Sequence, residues 1–295
     1  GKSFQAEEAF KKAIVLNSKN DQACVGLGRT YLNQGKSFQA EEAFKKAIVL
    51  NSKNYQAYVE LGWIYQDQGK IPQAEDLFMK AIELNPKNKN AYAGLEQFYQ
   101  AQNKSLQAED TFKKAVDSNP KNDQAYFEFG ELYRNQGKFP QAEEALKKSI
   151  ELNLKNDQAY VGSGRLYQDQ GESPQAEDAF KEAIELNPKN DHAYVELGYL
   201  YLAQGKFPQA EDLFKKAVGL NPKNDQVYVE LGWIYLNQGK ISQAEEALKK
   251  TIDLNSKNKN AYAGLGRLYQ DQGKSLQAEE ALKKTIDLNP KNNNA

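Results

Sequence analysis

Apolar and polar positions along the chain follow a pattern that is copied every 34 residues from end to end. Within one copy, Tyr58, Leu61 and Tyr65 recur at the spacing of a helix with one apolar face. Gly69 then interrupts the pattern, and Phe78 and Ile82 mark the apolar face of a second helix. The pattern therefore predicts two helices per copy, 17 helices in total, and an all-α chain.

The 34-residue repeats predict how the chain is organised into domains. A period of this size is typical of a solenoid, in which each unit buries its apolar face against its neighbours. With Asp21 as repeat position 1, residues 1–20 supply a leading second helix, and the chain is a single array over 1–295. The full repeats are 21–54, 55–88, 89–122, 123–156, 157–190, 191–224, 225–258 and 259–292. Because the sequence begins at Gly1, in the middle of a repeat, we expect a piece of a longer protein.

The repeat resembles the tetratricopeptide repeat family. Units of that family carry an aromatic residue at position 4, Leu-Gly at 7–8, Tyr at 11, Ala at 20, Phe at 24, Ala at 27 and Pro at 32. Here position 11 is Tyr in all eight full repeats, position 20 is always Ala, and position 8 is Gly in all but one. The resemblance implies a right-handed α-α superhelix, with the first helices lining a concave groove. Glu96 and Asn103 depart from the pattern; we expect Glu96 to lean towards water and Asn103 to keep the turn.

Composition narrows the possible partners and chemistry. With 39 basic and 40 acidic residues the chain is almost neutral, which argues against nucleic acid and membrane partners. No apolar run approaches the ~18 residues of a membrane span, and no signal peptide is visible, which favours the cytoplasm. Cys24 and His192 are the only residues of their kinds, so cysteine-cluster and histidine-pair metal sites are excluded. We expect no enzyme activity and no cofactor.

The resemblance assigns repeat positions 2, 5, 6, 9, 12 and 13 to the groove, and two of these positions vary together. Position 6 is Gly or Glu, and position 9 is Arg, Gln, Glu, Trp or Tyr. Gly at position 6 accompanies Arg or Gln at position 9, whereas Glu at position 6 accompanies Trp, Tyr or Glu. Two interpretations stay open. The arginines neutralise glutamates of adjacent repeats, in pairs such as Arg29–Glu60 and Arg267–Glu230, or aromatic rings beside carboxylates bind an extended peptide.

The function predicted on this basis is a protein-interaction scaffold that binds an extended peptide or partner segment in its groove. Two alternatives are the substrate-recruiting arm of a larger enzyme, such as a glycosyltransferase, and a self-assembling structural filament. Acids outnumber bases in the groove, which favours cationic or polar segments. The candidate groove residues are Glu60, Trp63, Phe127, Glu128, Glu131, Arg165, Glu196, Tyr199, Glu230, Trp233 and Arg267.

The two ends of the array suggest a further partner, a second copy of the chain. Neither end carries a polar capping unit, so Phe10 and Ile14 at one end and Leu282 and Ile286 at the other are expected to lack a covering repeat. The two end surfaces are the two sides of one repeat junction and should fit each other. The sequence therefore predicts end-to-end self-association.

Overall fold

The computed structural model describes residues 2–101 and 105–288 and shows only α-helices and turns there. The first helices of the repeats are α2 (Asp21–Asn33), α4 (Tyr55–Asp67), α6 (Lys89–Ala101), α8 (Asp123–Asn135), α10 (Asp157–Asp169), α12 (Asp191–Ala203), α14 (Asp225–Asn237) and α16 (Lys259–Asp271). The second helices are α1 (Lys2–Leu16), α3 (Ser37–Leu50), α5 (Ile71–Leu84), α7 (Ser105–Ser118), α9 (Phe139–Leu152), α11 (Ser173–Leu186), α13 (Phe207–Leu220), α15 (Ile241–Leu254) and α17 (Ser275–Asp287). The predicted number of helices is confirmed.

The chain forms two compact units, residues 1–154 and 155–295. In each unit every first helix packs on the second helix of its own repeat and then on its neighbours in the stack. The core of the first unit is built around buried rings such as Phe44, Phe78 and Phe112, and that of the second around Phe180 and Phe214. This local, sequential packing is the construction expected of a solenoid.

A glycine at position 8 brings the two helices of a repeat together. A methyl group added to Gly62 would lie 2.8 Å from Cε1 of Phe78, which is fully buried. In the second unit a methyl group on Gly232 would lie 2.7 Å from Cδ2 of Leu248. Helix axes can approach this closely only where one helix presents no side chain. The side chain of Glu96, which replaces this glycine in the third repeat, and Asn103 lie outside the described residues.

The turn between the helices of a repeat needs a glycine for a different reason. Gly69 has a φ of +70°, and Gly239 has a φ of +68°. This left-handed conformation ends the first helix at no steric cost only when Cβ is absent. The backbone N–H of Lys70 then bonds back to the carbonyl of Tyr65 at 2.8 Å, and α5 begins one residue later.

Asparagines join successive repeats. Asn54 caps α4 by accepting the N–H of Ala57 at 3.1 Å, and its side-chain amide donates to Asp21 at 2.7 Å. Asn51 donates to the same carboxylate at 2.8 Å. Burial opposes ionisation of Asp21, but these donors outweigh it and hold its pKa below the ordinary value. One aspartate thus fastens the start of its own repeat to the start of the next.

A glutamate at position 21 forms a second junction between repeats. Glu211 of α13 is buried and lies between Lys215 of its own helix and Lys240 of the following repeat, at 3.0 Å from the latter. Burial alone would raise the pKa of Glu211, yet hydrogen bonds from the two lysines and Gln238 lower it to about 2. Tyr201 and Tyr269 donate to the equivalent Glu177 and Glu245. These carboxylates stabilise the stack as ions.

Candidate functional site

We use the name first-helix face for repeat positions 2, 5, 6, 9, 12 and 13 within each unit. Neighbouring first helices contact one another directly, α4 with α6 and α6 with α8 in the first unit, and α10 with α12 and α14 with α16 in the second. Because consecutive first helices lie side by side, residues at equivalent positions form rows across them. The geometry of positions 6 and 9 is therefore set by two adjacent repeats rather than by one.

In the first unit, the row contains an aromatic ring beside a neutralised acid. Trp63 is partly exposed and packs edge-on against Phe78, with ring centroids 5.3 Å apart. Glu60, one turn earlier on α4, accepts a hydrogen bond from Nε of Arg29 at 2.7 Å. The predicted Arg29–Glu60 pair is confirmed. A polar cleft of about 280 Å³ lies beside it and is lined in part by Tyr55.

Helix α8 contributes the other candidates of the first unit. Phe127 is partly exposed, and Glu128 accepts from the amide of Gln124 at 2.6 Å along the same helix. Glu131 is buried and contacts Arg134 at 3.2 Å. Gln124 was missed by the sequence analysis, although its spacing of four residues from Glu128 on one helix could have identified it.

In the second unit, the row begins with an ion pair. Arg165 of α10 reaches Glu196 of α12 at 2.6 Å, across the boundary between two repeats. Tyr199, one turn after Glu196, is partly exposed and packs edge-on against Phe214 at 5.4 Å. Burial and the negative charge of Glu230 raise the pKa of Tyr199 to about 12, so its hydroxyl keeps its proton and acts as a donor.

Glu230 has a different environment. Its carboxylate accepts from the amide of Gln226 at 2.9 Å and interacts with the hydroxyl of Tyr199. Burial raises its pKa above the ordinary value, and these two neutral donors only partly offset that effect. The predicted Arg267–Glu230 pair is wrong, because Arg267 places its guanidinium over the ring of Trp233, 5.9 Å from the centroid.

The contacts between positions 9 and 6 share one spacing along the chain, which explains why Arg267 and Glu230 do not pair. Position 9 of a repeat faces position 6 of the following repeat, 31 residues later, as in Arg29 with Glu60 and Arg165 with Glu196. Tyr199 and Glu230 have the same spacing. The pair proposed for Arg267 ran backwards along the chain and could not form.

Other kinds of site are not evident in the part of the chain that the structure describes. No group of three or more His, Cys, Asp and Glu residues is arranged there to hold a metal ion. None of the helices in that part is long and apolar enough to cross a membrane. Cys24 is buried, and burial raises the pKa of its thiol. His192 is exposed on the first-helix face.

Family models described as tetratricopeptide repeat match most of the chain, over residues 21–54, 55–88, 111–144, 161–225, 201–257 and 238–295. The chain therefore belongs to the tetratricopeptide repeat family. The predicted fold class, an all-α solenoid of the right-handed α-α superhelix type, is confirmed. The family and the fold are those of protein-interaction scaffolds. No curated protein matches the sequence.

Solved structures with the same fold include MamA, at 28% identity and a TM-score of 0.51 over 55% of this chain and 95% of MamA. Yeast Tom70 aligns at 20% identity and a TM-score of 0.68, over 99% of this chain and 60% of Tom70. A chain of the APC/C hetero-tetramer Cut9–Hcn1 aligns at 17% identity and a TM-score of 0.59, over 97% of this chain and 56% of that chain. The last two similarities concern the fold alone.

Proposed function

We propose that the first-helix face of each unit binds an extended segment of a partner protein. The observation that carries this proposal is the partial exposure of three large rings, Trp63, Tyr199 and Trp233, on that face. Each ring is held in place from beneath or beside by a neighbour, such as Phe78 under Trp63. Rigid aromatic side chains that keep part of their surface exposed are the residues that most often anchor protein interfaces.

The polar groups around the rings suit an extended peptide rather than a small molecule. Carboxylates and amides alternate with the rings along the row, as Glu60 does with Trp63 and Glu230 with Trp233. A peptide backbone offers N–H and carbonyl groups at regular intervals and can use such groups in succession. A chain with the same fold belongs to the hetero-tetramer Cut9–Hcn1, an assembly of two different proteins. Tetratricopeptide folds are typically non-enzymatic.

The test is a selection of short random peptides against the intact chain, followed by binding assays on two variants. Trp63→Ala combined with Trp233→Ala should weaken the selected peptides at least tenfold, on the order of 1.4 kcal/mol or more. Phe38→Ala removes a ring that is 72% exposed on the second helix α3, and it serves as the matched control. Both variants should keep the helical circular dichroism signal. Equal loss in both, or loss in neither, would contradict the proposal.

A further inference from the structure

Glu230 differs from Glu60 and Glu196, which also stand at position 6, in the nature of its partners. Glu60 is paired with Arg29 at 2.7 Å, and Glu196 with Arg165 at 2.6 Å. Glu230 instead accepts a hydrogen bond from the amide of Gln226 at 2.9 Å and interacts with the phenol of Tyr199, and both groups are uncharged. A carboxylate that is partly withdrawn from water and balanced only by neutral donors attracts a positive charge more strongly than one already paired.

The ring beside Glu230 is already in contact with a cation. Trp233 lies one turn after Glu230 on α14, and the guanidinium of Arg267 sits over its ring at 5.9 Å. Tryptophan is the side chain that attracts cations most strongly through its ring face. The chain's own arginine therefore shows which chemical group this surface accepts, and it does so without neutralising Glu230.

We propose that Glu230, Tyr199 and Trp233 form a subsite for a positively charged side chain, lysine or arginine, of the bound partner segment. The inference rests on the proposed function and names the chemistry of one residue in that segment. The incoming cation would pair with the carboxylate of Glu230 while its alkyl stem lies along the indole. Tyr199, whose hydroxyl stays protonated, holds the carboxylate in position.

One added cation would balance the charges around the subsite. Glu196 on the adjacent helix is already neutralised by Arg165, and Arg267 occupies the indole rather than the carboxylate. His192, on the same helix as Tyr199, is exposed. One unneutralised carboxylate beside an aromatic ring is complementary to one lysine or arginine.

The first unit supplies a natural control. Its helix α4 repeats the stretch from Tyr58 to Tyr65 that α14 carries from Tyr228 to Tyr235, so Glu60 and Trp63 correspond to Glu230 and Trp233. There, however, Arg29 already neutralises the glutamate. The same two side chains are thus present in both units, but Glu60 is paired with an arginine, whereas the hydrogen bond that Glu230 accepts comes from a neutral amide.

The test uses the intact chain and two synthetic peptides, one alternating arginine with serine and the other with citrulline in place of arginine. The chain has two tryptophans, so its NMR spectrum contains two indole N–H signals, with Trp63 as an internal reference. We expect the arginine peptide to shift the Trp233 signal in a saturable way and the citrulline peptide to leave it in place. A lysine peptide shows which of the two cations is preferred.

Three variants locate the effect. Glu230→Gln should weaken the arginine peptide about tenfold or more, as loss of one charged hydrogen bond predicts, whereas Glu60→Gln should change it less than about twofold. Arg267→Gln should strengthen binding, because the partner's cation then has the indole to itself. Equal binding of the citrulline peptide, or an unchanged affinity in Glu230→Gln, would overturn the subsite.

These outcomes are separate from those of the proposed function. If peptides selected against the intact chain depend on Trp63 and Trp233 but not on Glu230, the face binds a segment and the cation subsite is wrong. If they depend on neither tryptophan, the proposed function itself fails.

Discussion

The helices that carry the two tryptophans have the same sequence over eight residues, yet their surroundings differ. Trp63 lies beside a glutamate that is paired with Arg29, whereas Trp233 lies beside Glu230, which has neutral partners only. The difference originates one repeat away, where position 9 is arginine in one case and Tyr199 in the other. In a solenoid the chemistry of a surface residue is therefore a property of two adjacent repeats, and identical segments can have different surroundings.

The largest expected difference in stability between α4 and α14 concerns the glycine that precedes the tryptophan in each helix. Gly62→Ala would drive a methyl group into Phe78, a rigid ring already packed against Trp63, and should destabilise the protein by about 1–3 kcal/mol. In Gly232→Ala the methyl group would lie 2.7 Å from Cγ and Cδ2 of the buried Leu248, whose side chain can rotate more easily than a ring, so the loss should be smaller, about 1 kcal/mol. Thermal unfolding followed by circular dichroism compares the two. A larger loss for Gly232→Ala would contradict this interpretation.

The caps of the two helices provide the next comparison. Asn54 both caps α4 and donates to Asp21, whereas Asn224 caps α14 through the N–H of Val227. Replacing Asn54 with alanine should therefore cost about 1–2 kcal/mol, and the same change at Asn224 about 1 kcal/mol. Urea unfolding of the two variants measures the difference. Equal losses would show that the bond to Asp21 contributes nothing.

Neutralising the two glutamates should change stability in opposite directions at pH 7. Glu60→Gln loses an exposed ion pair with Arg29 and should cost about 0–1 kcal/mol. The pKa of Glu230 in the folded protein lies above its ordinary 4.5. The protonated carboxyl therefore favours the folded state below pH 4.5, and this contribution to stability is lost as pH rises through the folded-state pKa. Glu230→Gln should therefore raise the unfolding midpoint at pH 7, and this advantage should disappear at pH 4. A gain that persists at pH 4 would argue against the burial of charge as its cause.

The smallest effect concerns Arg267. Replacing it with glutamine, which stands at the equivalent Gln97 in the first unit, removes the guanidinium over Trp233 and should cost only about 0.5–1 kcal/mol. In a Trp63→Phe background the fluorescence of the remaining indole reports the change directly. We expect a shift in the emission of Trp233. An unchanged spectrum would mean that the cation does not contact the ring in solution.

The fold could be predicted almost completely from the sequence, because the repeat shows the helix periodicity eight times in the same register. The Gly62 and Gly69 positions, for example, already mark a close approach and a left-handed turn, and the structure places both as expected. Core positions depend on residues of the same repeat or its neighbour, and their apolar character is visible without coordinates.

The candidate site was less predictable. The sequence indicated that positions 6 and 9 are related, but the direction of pairing depends on how far adjacent helices are displaced along their axes. That displacement brings Arg29 to Glu60 and takes Arg267 to Trp233 instead of Glu230. The neutral donors were also not predicted: Gln226 lies four residues before Glu230, as Gln124 does before Glu128, but glutamine is frequent throughout this chain.

The forward pairing of position 9 with position 6 also gives each repeat a fixed place in the order of assembly. Residues 1–20 and 35–54 are identical, so core packing alone does not distinguish some neighbours from others. A stack that skipped one repeat would set Arg29 against Gly94 and Tyr199 against Gly264, and both donors would lose their carboxylates. Repeat arrays with near-identical units are prone to such misassembly during folding. The contacts between position 9 and position 6 thus distinguish the correct neighbouring repeat from the one after it. A mutation at these positions that is chosen to alter partner binding can therefore also increase misassembly of the array.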